Sequence, residues 1–325
     1  MRRSALRTRL LIYATLVVSA MLVWVLWTPG ESALRTPGHL RANGLWLAHG
    51  WMGDAQWFAA RHKDPRDYDA EHLSRMAARM APLHLAYLYP HLCPADGHGV
   101  IPGYDREGLR RLRAAFPGAR ILPWIGGSTE STVELSDPAW RAGFLASAAA
   151  LFADDLIDGV HLNIEPIPGD SLDYLELVRQ LAALKQGKML SVAAYPPPTW
   201  LHPHPDVHWE RTYYQAVAAQ ADQLVPMLYD TALSNGRLYT WLVSRWTREV
   251  IADSAGKQIL FGVPAYDDAG VGYHDPLVED PAHALPGVIA GINAMGGTAR
   301  YGISVYAEWT LTDEAIRELA RFLPP

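Results

Sequence analysis

The chain has 325 residues, of which half are hydrophobic and 19% are charged, so a large core is expected and wholesale disorder is excluded. The first 27 residues hold four arginines and no acid, so the net charge of −6 leaves −10 on the remainder. An acidic body without a basic run argues against nucleic acid as a partner. Cys93 is the single cysteine, which excludes an intrachain disulfide and a cysteine-based metal site.

An uncharged apolar run near the N-terminus is just long enough to span a bilayer as a helix. The arginines before it predict that its start stays cytoplasmic, so the rest of the chain is exported. We expect a signal anchor, and the alternative is a long signal peptide, cleaved near Ser32-Ala33, that releases a secreted protein. The predicted divisions are a cytoplasmic basic tip at 1–9, a membrane segment at 10–27, a linker at 28–43 that contains two Pro-Gly pairs, and a folded domain at 44–325.

Eight apolar, strand-like runs alternate with helical patterns in the folded domain, at a spacing of about 36 residues. The runs lie at 44–49, 83–89, 120–126, 157–165, 188–195, 222–229, 258–266 and 301–306. This size and order predict a (β/α)₈ TIM barrel, and a doubly wound open sheet is the structural alternative.

Helix signals occur between these runs. Leu73, Met76, Ala77 and Met80 follow the spacing of an amphipathic helix. The predicted helix starts are Asp137 before Pro138, Asp170 or Ser171 before Leu172, Asp280 before Pro281, and Thr312 before the last amphipathic helix.

The fourth strand-like run, Asp158-Gly-Val-His-Leu-Asn-Ile-Glu165, carries polar groups on an otherwise apolar strand. Side chains alternate along a strand, so Asn163 and Glu165 are neighbours on one face, and Pro166 ends the strand. Buried polar groups are costly unless they face a site, although a solvated acid at a strand end is the simpler alternative.

Aromatic and acidic residues recur at the predicted C-terminal ends of the strands, which is where barrel active sites form. They are Trp124, Glu165, Tyr195, Tyr229 with Asp230, Tyr266, and Tyr306 with Trp309. Aromatic rings around one or two carboxylates are typical of a sugar-binding cleft, and the chain's twelve tryptophans and fifteen tyrosines fit one.

In its motifs the chain resembles glycoside hydrolase family 18, the chitinase-like family. The correspondences are Asp158–Glu165 with the family's D-G-x-D-x-D-x-E, Gly126-Gly127 with its third-strand Gly-Gly, Met227-Leu228-Tyr229-Asp230 with its M-x-Y-D, Gly262-Val263-Pro264-Ala265-Tyr266 with its G-x-P-x-Y, and Tyr306 with its eighth-strand tryptophan.

The resemblance implies a substrate-assisted, retaining hydrolysis of a glycan that contains N-acetylhexosamine, with Glu165 as the acid and base. It implies that Asn163 contacts the acetamide of the substrate and that the Tyr229 hydroxyl binds its carbonyl. The predicted substrate-binding residues are Asp158, His161, Trp124, Tyr195, Met227, Asp230, Tyr266, Tyr306 and Trp309. No cofactor or metal is expected.

His161 and Asn163 replace the two middle aspartates of the family motif. Asparagine can still accept a hydrogen bond but supplies no charge, so a chitinase-like glycan-binding protein with weak or no activity is the alternative. We interpret His161 as a histidine packed in the barrel interior, in preference to a residue that transfers a proton directly. A third hypothesis, a two-carboxylate retaining glycosidase, would need Asp267 or Glu308 as the nucleophile.

Two histidine-containing loops offer weaker metal hypotheses, because prolines in the first indicate a stiff loop over the site and the second has no diagnostic ligand spacing. The first loop holds His202, His204 and His208, and the second holds His91, Cys93, Asp96 and His98.

Overall fold

The computed structural model describes residues 2–31, 40–267, 270–296 and 301–323, with side chains from residue 9 onward. The predicted cleavage site at Ser32-Ala33 and half of the predicted linker, residues 32–39, therefore lie outside the described residues. The division of the chain into tip, membrane segment, linker and domain stays a prediction.

Nine parallel strands form a single curled sheet within the described residues. They are β1 Asn43–Leu47, β2 Leu85–Pro90, β3 Arg120–Ile121, β4 Trp124–Ser128, β5 Gly159–Glu165, β6 Met189–Ala194, β7 Gln223–Pro226, β8 Gln258–Pro264 and β9 Tyr301–Tyr306. The order around the sheet is β3-β2-β1-β9-β8-β7-β6-β5-β4. The two ends of this order, β3 and β4, are separated by only two residues and act as one strand that pairs with β2 on one side and with β5 on the other. The sheet therefore closes on itself, and the predicted TIM barrel is confirmed.

The predicted third strand is split in two, and a proline causes the split. Pro123 has no N–H to donate to a sheet ladder, so β3 ends before it and β4 starts after it. Hydrogen bonds still cross the gap. The Leu122 N–H donates to the Leu88 carbonyl at 2.9 Å, and the His161 N–H donates to the Pro123 carbonyl at 2.9 Å. Eight barrel strands result, with β3 and β4 forming the third and β5 the fourth.

Helices cover the outside of the barrel, and an additional helix precedes it. The helices are α1 Arg2–Leu26, α2 Ala55–Arg61, α3 Ala70–Met80, α4 Arg106–Ala115, α5 Pro138–Ala153, α6 Leu172–Leu184, α7 Arg211–Gln220, α8 Gly236–Asp253, α9 Pro281–Ala294 and α10 Asp313–Ala320. The predicted caps are confirmed, because the side chains of Asp137, Ser171, Asp280 and Thr312 each accept a backbone N–H at a helix start. Of the two candidates before α6, Ser171 is the cap.

Hydrophobic side chains pack in two places, one on each face of the sheet. The larger cluster lies between strands and helices, where α3 buries Leu73, Met76 and Met80 as its spacing predicts. The smaller cluster fills the barrel interior and includes Trp46, Tyr89 and Leu260. The barrel is thus a packed solid whose open space lies beyond the C-terminal ends of its strands.

Candidate active site

Glu165 is the last residue of β5, so it lies at the barrel mouth, on the interior face of the strand. Both oxygens of its carboxyl group have donors. Asn163 Nδ2 donates to Oε1 at 2.7 Å, and the Tyr195 hydroxyl donates to Oε2 at 3.2 Å. Burial nevertheless raises the pKa of Glu165, because the lost hydration outweighs these two hydrogen bonds, and the Asp230 charge raises it further. A carboxyl group with a raised pKa keeps its proton to a higher pH than an exposed one, as a general acid must.

The neighbouring strand approaches β5 closely through the predicted glycine pair. Gly126 pairs with Asn163 in the sheet and has φ +129°. A Cβ atom at Gly126 would lie 2.0 Å from the Asn163 carbonyl oxygen, so any side chain there would push the two strands apart. The glycine pair therefore supports the site by allowing β4 to pack on β5.

A small cavity, which we call the acid cavity, opens in front of Glu165; together with the solvent space at its entrance it measures about 400 Å³. Its lining residues are Glu165, Tyr195, Pro196, His202, Val207, His208, Met227, Tyr229, Asp230 and Trp246. The structure thus brings together five residues predicted from the sequence, which come from β5 and from the segments that follow β6 and β7. Asn163 lies directly beneath them, through its bond to Glu165.

Asp230 is held in place by two aromatic residues from the segment after β8. Its carboxylate accepts a hydrogen bond from the Tyr266 hydroxyl, and His274 Nδ1 lies 3.4 Å away. The Tyr266 and His274 rings stack with centroids 4.0 Å apart. Asp230 also has φ +61°, a left-handed backbone conformation that aspartate tolerates better than most residues. The contacts with Tyr266 and His274 therefore set the orientation of the Asp230 carboxylate.

His274 belongs to a buried ion-pair cluster that the sequence did not reveal. Its Nδ1 atom lies 3.7 Å from the carboxylate of Glu279, a fully buried side chain that also accepts the Thr231 N–H. The two carboxylates raise the pKa of His274 to about 10, against the effect of burial. Asp230, His274 and Glu279 also form a cluster of three metal-ligand residue types. Their ligand atoms all lie within 4.8 Å of one another, and the described residues contain no second cluster of this kind. With its pKa raised in this way, the imidazole carries a positive charge near neutral pH and forms an ion-pair cluster with the two carboxylates.

The remaining predicted aromatic residues line a second space, which we call the aromatic cavity; together with the solvent space at its entrance it measures about 720 Å³. Its lining residues are Ala48, His49, Trp57, Lys63, Tyr68, His91, Trp124, Tyr306 and Trp309. Tyr306 connects the two cavities, because its ring stacks on Tyr229 with centroids 5.8 Å apart and planes 19° from parallel. His49 and Trp57, which were not predicted, stack at 4.4 Å and 2°. Both residues lie in the segment after β1, which has no sequence pattern that indicates a site.

Asp158 does not reach the cleft, contrary to the prediction that it binds substrate. It precedes β5, so it lies at the opposite end of the strand from Glu165. Its carboxylate accepts hydrogen bonds from Arg113 at 2.6 Å and from the Ile121 N–H at 2.8 Å. The structure therefore gives Asp158 a structural role, the attachment of β5 to β3 and α4 at the base of the barrel.

His161 also stays outside the cleft, again in contrast to its predicted contact with substrate. The side chain is fully buried in the barrel interior, and its ring packs against Tyr89 with centroids 4.2 Å apart. Ser191 Oγ donates to Gln223 at 2.7 Å, so it accepts a bond from His161 Nδ1 at 2.8 Å. Burial lowers the pKa of His161 to about 3, so the ring is neutral. The interpretation as a barrel-interior histidine agrees with this placement.

In the two histidine-containing loops, polar groups form hydrogen bonds with other groups of the protein. His202 Nδ1 and His208 Nε2 are 2.6 Å apart and share a hydrogen bond, closer than two ligands of one zinc ion would lie. His208 Nδ1 donates to the Pro196 carbonyl at 2.7 Å. In the second loop, the Asp96 carboxylate accepts the His98 and Val100 N–H groups. Both sets of bonds stabilise loops at the mouth.

Neither acid required by the two-carboxylate hypothesis lines the acid cavity. Glu308 Oε2 accepts hydrogen bonds from Trp51 Nε1 at 3.1 Å and from the Ala48 N–H at 3.4 Å, which hold it toward β1. Asp267 is exposed. Among the residues that line the acid cavity, Asp230 is the carboxylate that accompanies Glu165.

We expect Asp230→Asn to shift the pH dependence of activity. The Asp230 charge raises the pKa of Glu165, so its removal lowers that pKa, and the acid form of Glu165 is lost at a lower pH. The alkaline limb of a kcat/KM profile should move to lower pH, whatever the change in its height. Asp267→Asn removes the same charge from an exposed position and serves as the control. An unmoved limb, or equal movement in both variants, would contradict the assignment.

An eight-stranded parallel barrel with a buried acid and aromatic rings at its mouth is an architecture that glycoside hydrolases use. The sequence profile described as Glycosyl hydrolases family 18 matches residues 82–296, so the chain belongs to that family. No curated protein matches the chain in sequence.

Solved structures share this fold at low sequence identity. The C-terminal domain of a putative chitinase from Desulfitobacterium hafniense superposes with a TM-score of 0.60 at 16% identity, covering 87% of this chain and 98% of that one. A class V chitinase from Pseudomonas fluorescens gives 0.57 at 14% identity, with coverages of 87% and 98%. The spore cortex-lytic enzyme SleL of Bacillus cereus gives 0.57 at 13%, with coverages of 89% and 76%. The likeness establishes the barrel.

Proposed function

We propose that this protein hydrolyses a glycan containing N-acetylhexosamine, with retention of configuration, and that Glu165 is its acid and base. The observation that carries the proposal is the environment of Glu165. Its pKa is raised by burial, both carboxylate oxygens are oriented, and it shares the acid cavity with Tyr229 and Asp230. Membership of family 18 supports the same reaction.

In the proposed first step, the acetamido oxygen of the substrate attacks its own anomeric carbon, and the glycosidic C–O bond breaks. Glu165 gives its proton to the departing oxygen. In the second step, the Glu165 carboxylate takes a proton from water, whose oxygen attacks the same carbon and opens the cyclic intermediate. The attacks from opposite faces restore the original configuration. Tyr229 is the donor for the acetamido oxygen.

Asn163 can take part in this reaction because of the direction of its hydrogen bond. Its amide nitrogen is committed to Glu165 Oε1, so its carbonyl oxygen remains able to accept the acetamido N–H of the substrate. An asparagine here supplies orientation without a negative charge. The developing positive charge of the intermediate would then be stabilised by Glu165 and Asp230, the carboxylates of the acid cavity.

A thiazoline that imitates the cyclic intermediate should inhibit hydrolysis competitively, and should bind at least about tenfold more tightly than the substrate. Proton NMR of the first product formed should show the anomer of the substrate. A two-carboxylate glycosidase also retains configuration but forms no such cyclic intermediate, so retention without thiazoline inhibition would select that mechanism. Inversion would exclude both.

The presence of a neutral residue at position 163 supports a second candidate, a glycan-binding protein without turnover. Such a protein would keep the acid cavity and the aromatic cavity as binding sites while the chemical step is lost. Calorimetric binding of an N-acetylhexosamine oligosaccharide, with no product at any pH between 4 and 9, about the range over which carboxyl and histidine side chains titrate, would select this candidate. Product formation that depends on Glu165 would exclude it.

We also propose that α1 anchors the protein in a membrane, with the barrel on the extracytoplasmic side. Residues Arg9–Leu26 form a helix that is long and apolar enough to cross a bilayer, and its side chains are exposed rather than packed in a core. Four arginines in the first nine residues favour a cytoplasmic start. A cleaved signal peptide, which would release the barrel, is the alternative.

A further inference from the structure

Large apolar side chains are exposed at one end of the barrel. Outside α1, the described ones are Val100, Leu172, Trp200, Val271, Tyr273, Leu277, Met295 and Trp309. All except Met295 lie in segments that follow a strand, or at the first residue of the next helix, so they surround the mouth. We call these seven residues the mouth rim. Clustering of exposed apolar groups at one end of a molecule indicates a surface that contacts something apolar.

The end of α1 lies at this same end of the barrel. Arg237, in the first turn of α8, donates to the Trp24 carbonyl at 2.8 Å, and its guanidinium lies 5.9 Å from the Trp24 ring centroid. Gly30 packs so closely on α9 that an added Cβ would lie 2.7 Å from Pro286. Both α8 and α9 begin at the mouth, because each follows the C-terminal end of a strand. A membrane containing α1 would therefore be adjacent to the mouth rim.

The chemistry of the rim favours lipid over sugar. Leu277 is 83% exposed and Leu172 is 78% exposed, and aliphatic side chains have no aromatic face on which a sugar ring could stack. Trp200, 71% exposed, and Tyr273 are of the types that concentrate at membrane interfaces. Leu172, Trp200 and Leu277 follow β5, β6 and β8, so they share one side of the mouth with the helix starts that hold the end of α1.

We propose that this side of the mouth rim rests in the interfacial layer of the bilayer that α1 crosses. The inference rests on the membrane anchoring proposed above, and it adds an orientation to the anchor. The acid cavity then opens at the bilayer surface, next to the lipid headgroups. Its substrate would be a glycan presented at that surface, such as a lipid-linked saccharide, in preference to a polymer held at a distance from the membrane.

The full chain in phosphatidylcholine vesicles allows a direct test by fluorescence quenching. Cys93 is buried, so a thiol-reactive bimane should label introduced cysteines selectively, and the native chain is the labelling control. The rim variants are Leu172→Cys and Leu277→Cys. Met295→Cys, an exposed apolar position at the opposite end of the barrel, is the matched control, and Leu16→Cys reports on α1. Two quenchers are used, a phospholipid with a nitroxide on its acyl chain near the headgroup for the rim positions and one with a nitroxide near the end of the chain for position 16.

We expect quenching at positions 172 and 277 to exceed that at position 295 several-fold, together with quenching at position 16. Quenching at position 16 with none at the two rim positions would overturn the orientation and leave the anchor standing. Absence of quenching at position 16 would overturn the anchor and the orientation together. Rim labels that are protected by insoluble chitin, and not quenched by lipid, would identify a carbohydrate-binding surface and overturn the inference.

Discussion

Glu165→Gln should reduce kcat/KM for an N-acetylhexosamine oligosaccharide by roughly 10²- to 10⁴-fold, the usual contribution of a positioned acid and base. Glutamine keeps the size of the side chain and its acceptor for the Asn163 amide, but it has no proton to give the leaving group. Substrate binding should persist, so calorimetry on the variant separates loss of chemistry from loss of the site. Initial rates measured from pH 4 to pH 9 would give the comparison.

Glu308→Gln is a matched control for this substitution. Glu308 also lies at the barrel mouth, and burial likewise raises its pKa, but its carboxylate faces Trp51 and β1. We expect the control to retain nearly full activity. Undiminished hydrolysis by Glu165→Gln, or an equal loss in both variants, would show that the acid is assigned wrongly.

Glu165→Gln should be as stable as the native chain, or more stable, at a pH at which the native Glu165 carboxyl group is ionised. A folded-state pKa above the unfolded value means that the native state binds the Glu165 proton more tightly, so this contribution to stability is lost as pH rises through the folded-state pKa. Glutamine carries no charge into the site and avoids that loss. Thermal unfolding at pH 8 gives the comparison, and a large destabilisation would contradict it.

His274→Gln should destabilise the protein by about 3–5 kcal/mol near pH 6, because it leaves the buried Glu279 carboxylate and Asp230 without their cation. The effect should depend on pH. The pKa of His274 is raised from 6.5 to about 10, so its proton stabilises the fold fully below pH 6.5, and this stabilisation is lost as pH rises toward 10. Denaturant unfolding in detergent at pH 6 and at pH 9.5 would measure the difference between variant and native chain.

A second histidine provides the control for this experiment. His72 pairs with Asp69 at 3.0 Å, but both side chains are about half exposed, and exposed pairs contribute at most about 1 kcal/mol. His72→Gln should therefore change stability little at either pH. An equally small effect of His274→Gln would mean that Glu279 is held by Thr231 alone and that His274 is dispensable.

The eight strand positions could be predicted because each buried strand is a short apolar run between clear helix starts. The division at Pro123 was visible as a proline inside the third run, but its consequence depended on neighbouring strands. The strands stay hydrogen-bonded there because the Leu122 N–H donates to Leu88 of β2 and the Pro123 carbonyl accepts from His161 of β5. Sequence periodicity carries no information about such partners.

The position of Glu165 in the cleft could be predicted from its place at the end of a strand, whereas the misplaced residues show the limits of a motif. Asp158 belongs to the same motif but precedes the strand, so it lies at the other end of the barrel. His161 lies on the same face as Glu165, four residues deeper, and the packed interior closes over it. A motif describes which residues occur together, and depth along the strand decides which of them can meet a substrate.

The ion-pair cluster could not be predicted, because Asp230 is far from the other two members in the chain. Glu279 and His274 lie in an irregular segment after β8, whereas Asp230 follows β7. Irregular segments have no hydrophobic period from which the direction of a side chain could be read. Only the closure of the barrel brings the three groups to one place.

The groups beneath Glu165 determine whether it has a neighbour on that side with which to exchange a proton. His161, Ser191 and Gln223 form a buried chain of neutral groups, and Asn163 adds a neutral amide above them. Aspartates at positions 161 and 163, as in the family motif, could hold a proton and pass it upward during the reaction. In the proposed mechanism, the proton that Glu165 gives to the leaving group is regained from the attacking water. The groups beneath Glu165 would then supply no second proton, and any further exchange would have to occur on the cavity side, where Asp230 lies.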